Sequence, residues 1–511
     1  MAKQKALVPE WQPRPNHMGH AEARPSITPV TGPSVGRRDF FKIAGTGLSG
    51  FFLTPYLSGG AYAMESEATT AGITPILKGT ARNCIFILLS GAPSHSDTFD
   101  LKVGPWTPSD FNPTNYNGML FPQGLMPELA KQTNRFSIVR SMRAPALVHP
   151  LQRTWVQIAR SPSSALGKIA PNLGSVVALE FEKQRKASYK LPSFVSLNTG
   201  GDVVGAGYFN GVYTPFDVQP AATGIPTLSN ADGQATFESR YQALQLIDSK
   251  LRINSPLGDD PNTMGGFYER GKAMMYDPTI DAAFKFTADE ATRYGTTNFG
   301  NSCLVARNLL KADLGTRYIQ INFGNWDHHQ DIYNKADNGD LLPGLYLMAD
   351  GLDKGLARLM DDLAAAPGLN GGTLLDETLI CVMGEFGRTV SGLTERDGRD
   401  HYFQHFAVMA GGGVVGGRVI GETDDRGFNV KEPGWSQNRA VANEDIAATI
   451  YSALGIDYTT TRRDDPFGRG FDYVPFASEG AWSPVTELFG RSLGRREPNT
   501  GRGTGGRTIT R

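Results

Sequence analysis

Asn83-Cys-Ile-Phe-Ile-Leu-Leu-Ser90 is an unbroken apolar run that stops at Gly91-Ala-Pro. A strand with one wet face alternates apolar and polar residues, so an unbroken run predicts a strand covered on both faces. Three further stretches read as strands: Arg317-Tyr-Ile-Gln-Ile-Asn-Phe323, Thr378-Leu-Ile-Cys-Val-Met383 and Phe406-Ala-Val-Met409. They stop at Gly324-Asn325, at Gly384-Glu385 and at the glycine run 411–413. Helical stretches fall between and after them: Ser302 to Asp313, Leu345 to Ala365, and Asn443 to Gly455. The last carries Asn443 at the N-cap, two acids in its first turn and Gly455 as its stop. This alternation predicts an α/β fold with a mostly parallel central sheet and helices on both faces.

Residues 185–300 follow no such rhythm. They hold a strand at Leu191–Leu197, a loop with Tyr208, Phe209, Tyr213 and Phe216, and a helical stretch near 236–252. The reading is an insertion near 200–300 packed on the sheet, its aromatics going to core before pocket.

Composition narrows the class. Of the 511 residues, 40% are hydrophobic and 20% charged, which excludes a wholly disordered chain and a multispan membrane protein. The formal charge of −1 gives no electrostatic basis for nucleic-acid binding. Cys84, Cys303 and Cys381 cannot make a disulfide framework.

The first sixty residues read as an address. Residues 1–35 are rich in Pro and polar residues and predict a disordered leader. Gly36-Arg37-Arg38-Asp39-Phe40-Phe41-Lys42 opens a short apolar stretch that ends at Ala61-Tyr-Ala63. Over 36–63 this is similar to a twin-arginine signal peptide, too short and broken for a stable membrane span. It predicts the twin-arginine export machinery as a partner and a periplasmic or secreted mature chain. Export of a folded chain by that route is also mild evidence for a bound metal or cofactor. Residues 491–511 predict a basic disordered tail.

Open α/β sheets place their sites at strand carboxyl ends, and polar clusters sit there in this chain. Ser94, His95, Ser96 and Asp97 follow the first strand; Asp327, His328 and His329 follow the second. Glu385 and Arg388 follow the third, with Arg399-Asp-His401 beyond a glycine-bearing loop. Six of the eight histidines lie beyond residue 64, and five of those are in or beside these clusters. His, Asp and Glu brought together suit a divalent cation such as zinc, manganese or calcium. Each cluster has a plainer reading: capping serines at Ser94 and Ser96, a Glu385–Arg388 ion pair, a surface loop at Arg399–His401, and a core histidine at His149.

Taken in order, Ser90-Gly-Ala-Pro-Ser-His-Ser-Asp-Thr-Phe-Asp100, Asn325-Trp-Asp-His-His329, Gly384-Glu-Phe-Gly-Arg-Thr389, Gly398-Arg-Asp-His401, Ala410-Gly-Gly-Gly413 and Ala447-Ala-Thr-Ile-Tyr451 resemble an exported bacterial family. It is the group called domain of unknown function 1501, and the resemblance covers roughly 80–475. The resemblance implies an alkaline-phosphatase-like fold related to sulfatases, and hydrolysis of an anionic sulfate or phosphate ester with bound metal. It implies Asp327, His329, Glu385 and His401 as ligands. Two positions depart from the phosphatase pattern: Ser90-Gly91 stands where an aspartate is expected, and Phe386 where a histidine is. The missing ligands are then relocated, to Asp97, His95 or His149.

The resulting expectation is a metal-dependent ester hydrolase. Asp97 is a fifth ligand, Ser94 or Ser96 the nucleophile, Arg388 the clamp on the anion and His95 the proton donor to the leaving oxygen. The competing readings are a non-catalytic binding or scaffold protein on a degenerate phosphatase-like fold, and a phosphomutase-like transferase.

Overall fold

The computed structural model describes residues 73–252, 260–336 and 343–490. The leader, the twin-arginine segment with Arg37 and Arg38, and the 491–511 tail lie outside the described residues.

The eight strands of the central sheet, in chain order, are β1 (Asn83–Leu89), β2 (Phe136–Arg143), β3 (Phe194–Leu197), β4 (Phe216–Val218), β5 (Tyr318–Asn322), β6 (Thr378–Gly384), β7 (Gln404–Ala410) and β8 (Arg418–Ile420). Their order across the sheet is β8-β2-β7-β6-β1-β5-β3-β4. Every neighbouring pair is parallel except those made by β7, which runs against both β2 and β6. The chain therefore has the expected α/β architecture, with one reversed strand inside it.

The unbroken apolar run of β1 is explained by its place at the sheet centre. Ile85, Ile87 and Leu89 join one hydrophobic core, and Cys84, Phe86 and Leu88 join the other. Helices α3 (Asn298–Ala312) and α4 (Leu345–Ala365) feed the first core; α1 (His149–Ile158), α2 (Leu173–Glu182) and α5 (Asn443–Leu454) feed the second. Burying one such side chain contributes about 1.5–3 kcal/mol, so β1 is fixed by packing on two sides.

Several local readings shift. The helix expected from Ser302 starts a turn earlier, because Thr297 caps it by accepting from Gly300 N at 2.9 Å. Asn443 is the first helical residue and not the cap; Asp445 instead reaches back to Ala442 N at 2.9 Å. Gly455 ends that helix in the left-handed region, φ +75°, as its sequence implies. The 200–300 segment gives the sheet its edge strand β4 and carries a helix over Gln234–Arg252. Tyr208 and Phe209 pack against Phe471, and Phe216 against Phe284, so these aromatics are packing residues. No helix among the described residues is long and apolar enough to cross a membrane.

Candidate metal centre

The carboxyl-end rim of the sheet collects residues from four connections. The turn after β1 is tucked beneath the β5 loop. Gly91 has φ +101°, and a Cβ there would lie 2.7 Å from the backbone nitrogens of both Trp326 and Asp327. Only glycine tolerates both demands. His149, six residues past the end of β2, is the first residue of α1. Asp327 and His329 follow β5, Glu385 and Arg388 follow β6, and His401 precedes the reversed strand β7. A two-residue pairing of Arg388 with His401 ties the last two together. The 394–400 loop also packs on the β5 loop: Arg399 N donates to His328 O at 2.9 Å, and any Cβ at Gly398 would meet His329 C at 2.0 Å.

Four ligand-type atoms converge at this rim, from His149, Asp327, His329 and His401, all within 4.8 Å of one another. His401 Nε2 lies 3.0 Å from His149 Nε2 and 3.0 Å from His329 Nε2. Asp327 Oδ1 lies 3.2 Å from His149 Nε2, 3.1 Å from His329 Nε2 and 3.7 Å from His401 Nε2. Ligands bound tetrahedrally at about 2.0–2.1 Å stand roughly 3.3–3.4 Å apart, so this spacing fits one ion.

The outer nitrogens fix the tautomers. His401 Nδ1 donates to the carbonyl of Leu147 at 2.8 Å, because a carbonyl oxygen only accepts. His329 Nδ1 donates to Asp400 Oδ1 at 2.9 Å, and His149 Nδ1 to Glu385 Oε2 at 2.6 Å. In neutral rings this leaves three Nε2 lone pairs and one carboxylate oxygen facing each other, a repulsion that Arg388 meets in part by donating to Asp327 Oδ1 and, at 3.3 Å, to His329 Nε2. A proton is one answer. Burial opposes charge on His149, yet its bonds to Asp327 and Glu385 outweigh that and push its pKa up to about 9. Asp327 moves the other way: burial alone raises it, but His149 and Arg388 hold it well below the usual carboxylate range. His401 is pulled down by burial and by the Arg388, His149 and His329 charges around it, which keeps its Nε2 free to bind a cation. A divalent ion with imidazole and carboxylate ligands answers the same repulsion.

Phe386, fully buried, packs against the rings of His149 and His401 with centroids 4.7 and 4.6 Å away. It occupies the place where a histidine was expected and acts as an apolar floor. Glu385 stands outside the four-atom group; its Oε2 accepts from His149 and from Gly91 N at 3.2 Å. Asp97 is likewise outside the group. It is buried and held bidentately by Arg399, at 2.6 and 3.0 Å, with Tyr333 Oη at 2.8 Å. Arg388 is fully buried and brings its guanidinium to Asp327, with further donors on the carbonyls of Gly91, Ala92 and Arg399. As placed, it holds Asp327 and presents no free fork to a ligand. Ser94, His95 and Ser96 are completely enclosed, Ser94 Oγ lying 3.4 Å from Ser96 Oγ and His95 Nε2 bonding Gly427 O at 3.0 Å. His328 turns away to Pro343 O at 2.9 Å, and burial pushes its pKa down to about 4.

The cage opens on a cavity of about 480 Å³ whose wall includes Ser90, His149, Arg153, Asn198, Asn322 and Asp327. A larger cavity, about 870 Å³ and lined by Lys102, Arg140 and Glu422 among others, includes none of the cage residues. Arg153 and Asn322 carried no sequence signal, and Ser90 was noticed only as a missing aspartate.

Fold and rim together define an α/β protein in which three histidines and an aspartate gather as a candidate metal site. The family described as "Protein of unknown function (DUF1501)" matches residues 81–471, and the chain belongs to that family. Similar solved structures include the lipoteichoic acid synthase LtaP from Listeria monocytogenes, 13% identical over 78% of this chain and 77% of that one, TM-score 0.33. The PsFucS1 sulfatase from Pseudoalteromonas sp. is 13% identical over 74% and 69%, TM-score 0.34. A protein in the alkaline phosphatase superfamily from Vibrio parahaemolyticus is 12% identical over 76% and 72%, TM-score 0.34. No curated protein matches the chain.

Proposed function

We propose that the protein is an exported, metal-dependent hydrolase of sulfate or phosphate esters, with the four-atom cage as its metal site. One observation carries this reading: three imidazoles, each with its Nδ1 committed outward, aim their Nε2 atoms with Asp327 at one point beside an open cavity. Nitrogen-rich ligands suit zinc better than manganese, which favours oxygen. They do not suit calcium, which takes about six to eight oxygen ligands.

A divalent ion bound there supplies Lewis-acid polarisation of an ester oxygen and offsets charge gathering in the transition state. The chain's own part is positioning. Glu385, Asp400 and the Leu147 carbonyl orient the three rings. Arg388 locks Asp327. Arg153 faces the cavity, bonded to Asp202 at 2.7 Å and 3.7 Å from Glu385, and is the cation available to the anionic group. Within this reading, Ser94 or Ser96 as nucleophile and His95 as proton donor require the 95–97 turn to open, since all three are enclosed. Arg388 as anion clamp requires it to release a backbone carbonyl. Export rests on the Arg37-Arg38 segment and is tested by finding a mature terminus near Met64.

The test of activity is a screen of sulfate and phosphate esters with wild type and His329→Ala, alongside metal analysis of the natively exported protein. The reading expects bound zinc or manganese and an activity lost in the variant. No bound transition metal, or equal background turnover in both proteins, removes it and favours the non-catalytic scaffold.

A further inference from the structure

Two buried polar atoms in the cavity wall have no partner within the protein. Ser90 Oγ and Asn322 Nδ2 make no hydrogen bond, although their residues are only 7% and 4% exposed. Both residues line the same cavity as His149 and Asp327. Buried donors are almost always satisfied, so two left without partners in residues that line one cavity beside the cage mark where a ligand's oxygens belong once those side chains turn to it.

The rest of the wall points to the kind of ligand. It continues through Asn198, Thr199 and Gln219 and contains no aliphatic or aromatic side chain apart from the histidine of the cage. These groups are held in order. Asn198 Nδ2 donates to Asn322 O at 2.9 Å, Gln219 Nε2 to Asn198 Oδ1 at 3.2 Å, and Thr199 Oγ1 to Asp217 at 2.7 Å. An aryl or alkyl group that displaces water from these amides and hydroxyls leaves their hydrogen bonds unmade, while hydroxyls replace that water bond for bond.

We propose that this wall is the subsite for the alcohol half of the ester, and that it takes a hydroxyl-rich, non-aromatic alcohol, a sugar or polyol, with Ser90 and Asn322 donating to its oxygens. The proposal rests on the hydrolase reading for the chemistry, but binding and turnover separate the two.

Zinc-loaded full chain is titrated calorimetrically with glucose sulfate and with nitrophenyl sulfate, and turnover of both is followed in parallel. Ser90→Ala removes the hydroxyl; Asn322→Asp removes the donor and keeps the acceptor that Gln320 uses at 3.1 Å. Each variant is first checked by thermal melting. The sulfate is common to both probes, so any added charge repulsion cancels in their ratio. The sugar ester is expected to bind at least about tenfold more tightly than the aryl ester, and either variant to erase most of that preference. Sugar-selective binding lost in the variants but without turnover supports the subsite while removing the hydrolase. Equal or tighter binding of the aryl ester, no binding of either, or a preference indifferent to both variants overturns the subsite. Rapid aryl turnover with no sugar preference also overturns it and leaves the hydrolase standing.

Discussion

Replacing Glu385 by glutamine tests whether the cage is a metal site or a hydrogen-bonded cluster that happens to contain histidines. Glu385 is 0% exposed, and its Oε2 takes the Nδ1 proton of His149 at 2.6 Å and the Gly91 amide at 3.2 Å. A glutamine can place its carbonyl oxygen at the same point, so the ring keeps its orientation and tautomer. What is lost is the negative charge behind His149, which raises the basicity of the opposite nitrogen. Outer partners of this kind are worth roughly 10–100-fold in metal affinity, or about 1.4–2.7 kcal/mol. The short contact and full burial put Glu385→Gln toward the upper end of that range. The new amide nitrogen lands where Oε1 lies without a partner, 3.7 Å from Arg153 Nε, and so finds no acceptor. That adds a stability cost of about 1–3 kcal/mol. The assay is zinc competition against a chelator of known affinity, with thermal melts of the metal-free proteins read separately. A zinc affinity within twofold of wild type refutes the argument that Glu385 tunes a metal ligand through His149.

Stripping metal from the wild type should lower its unfolding free energy by about 2.7 kcal/mol relative to protein held at zinc a hundred times the dissociation constant. His401→Ala should show almost none of that difference in calorimetry, having lost one of the four ligands. Gly91→Ala places a methyl 2.7 Å from the Asp327 and Trp326 amides at φ +101°, so zinc affinity should collapse while far-UV circular dichroism stays near wild type. Acid stability should depend on His405, which is buried with both ring nitrogens unpartnered and whose pKa is pushed down to about 3 by burial, with the His95 charge adding to it. The fold favours the neutral ring, so nothing is lost above about pH 6.5, and stability falls by about 1.4 kcal/mol per pH unit below it. Urea titrations between pH 7 and 5 should show wild type falling away from His405→Leu toward acid by that slope; parallel curves would deny the buried-histidine penalty.

The strands buried on both faces were readable because period and composition alone report such burial. Asn83–Ser90, Arg317–Phe323 and Thr378–Met383 coincide with β1, β5 and β6, and they bring Asp327 and Glu385 to the rim. β2 was not readable. Phe136-Ser-Ile-Val-Arg-Ser-Met-Arg143 carries two arginines and two serines, and it is buried only because its polar groups find partners along the chain. Arg140 donates to Phe99 O at 2.8 Å and faces Asp100 at 3.5 Å; Ser137 and Ser141 donate to the carbonyls of Val415 and Pro433 at 2.7 and 2.8 Å. Those partners are 40 to 292 positions away, and no window of sequence contains them. With β2 unseen, His149 had no strand to follow; its own context read as a core histidine, and only the family resemblance made it a candidate ligand.

Strand direction supplies the remaining link between sequence and site. β7 runs against β6 and β2 alike, so β2 points the same way as β6 and delivers His149 to the carboxyl-end rim. The same reversal carries the glycine run 411–413 to the opposite rim and brings the amino end of β7 to the cage. His401 therefore enters from before its strand while Asp327, His329 and His149 enter from after theirs. Reading β7 as one more parallel strand would place His401 a full strand length from Asp327. The 3.7 Å between their ligand atoms requires the reversed strand, and with it the Arg388–His401 pairing that ties the anchor of Asp327 to the third histidine.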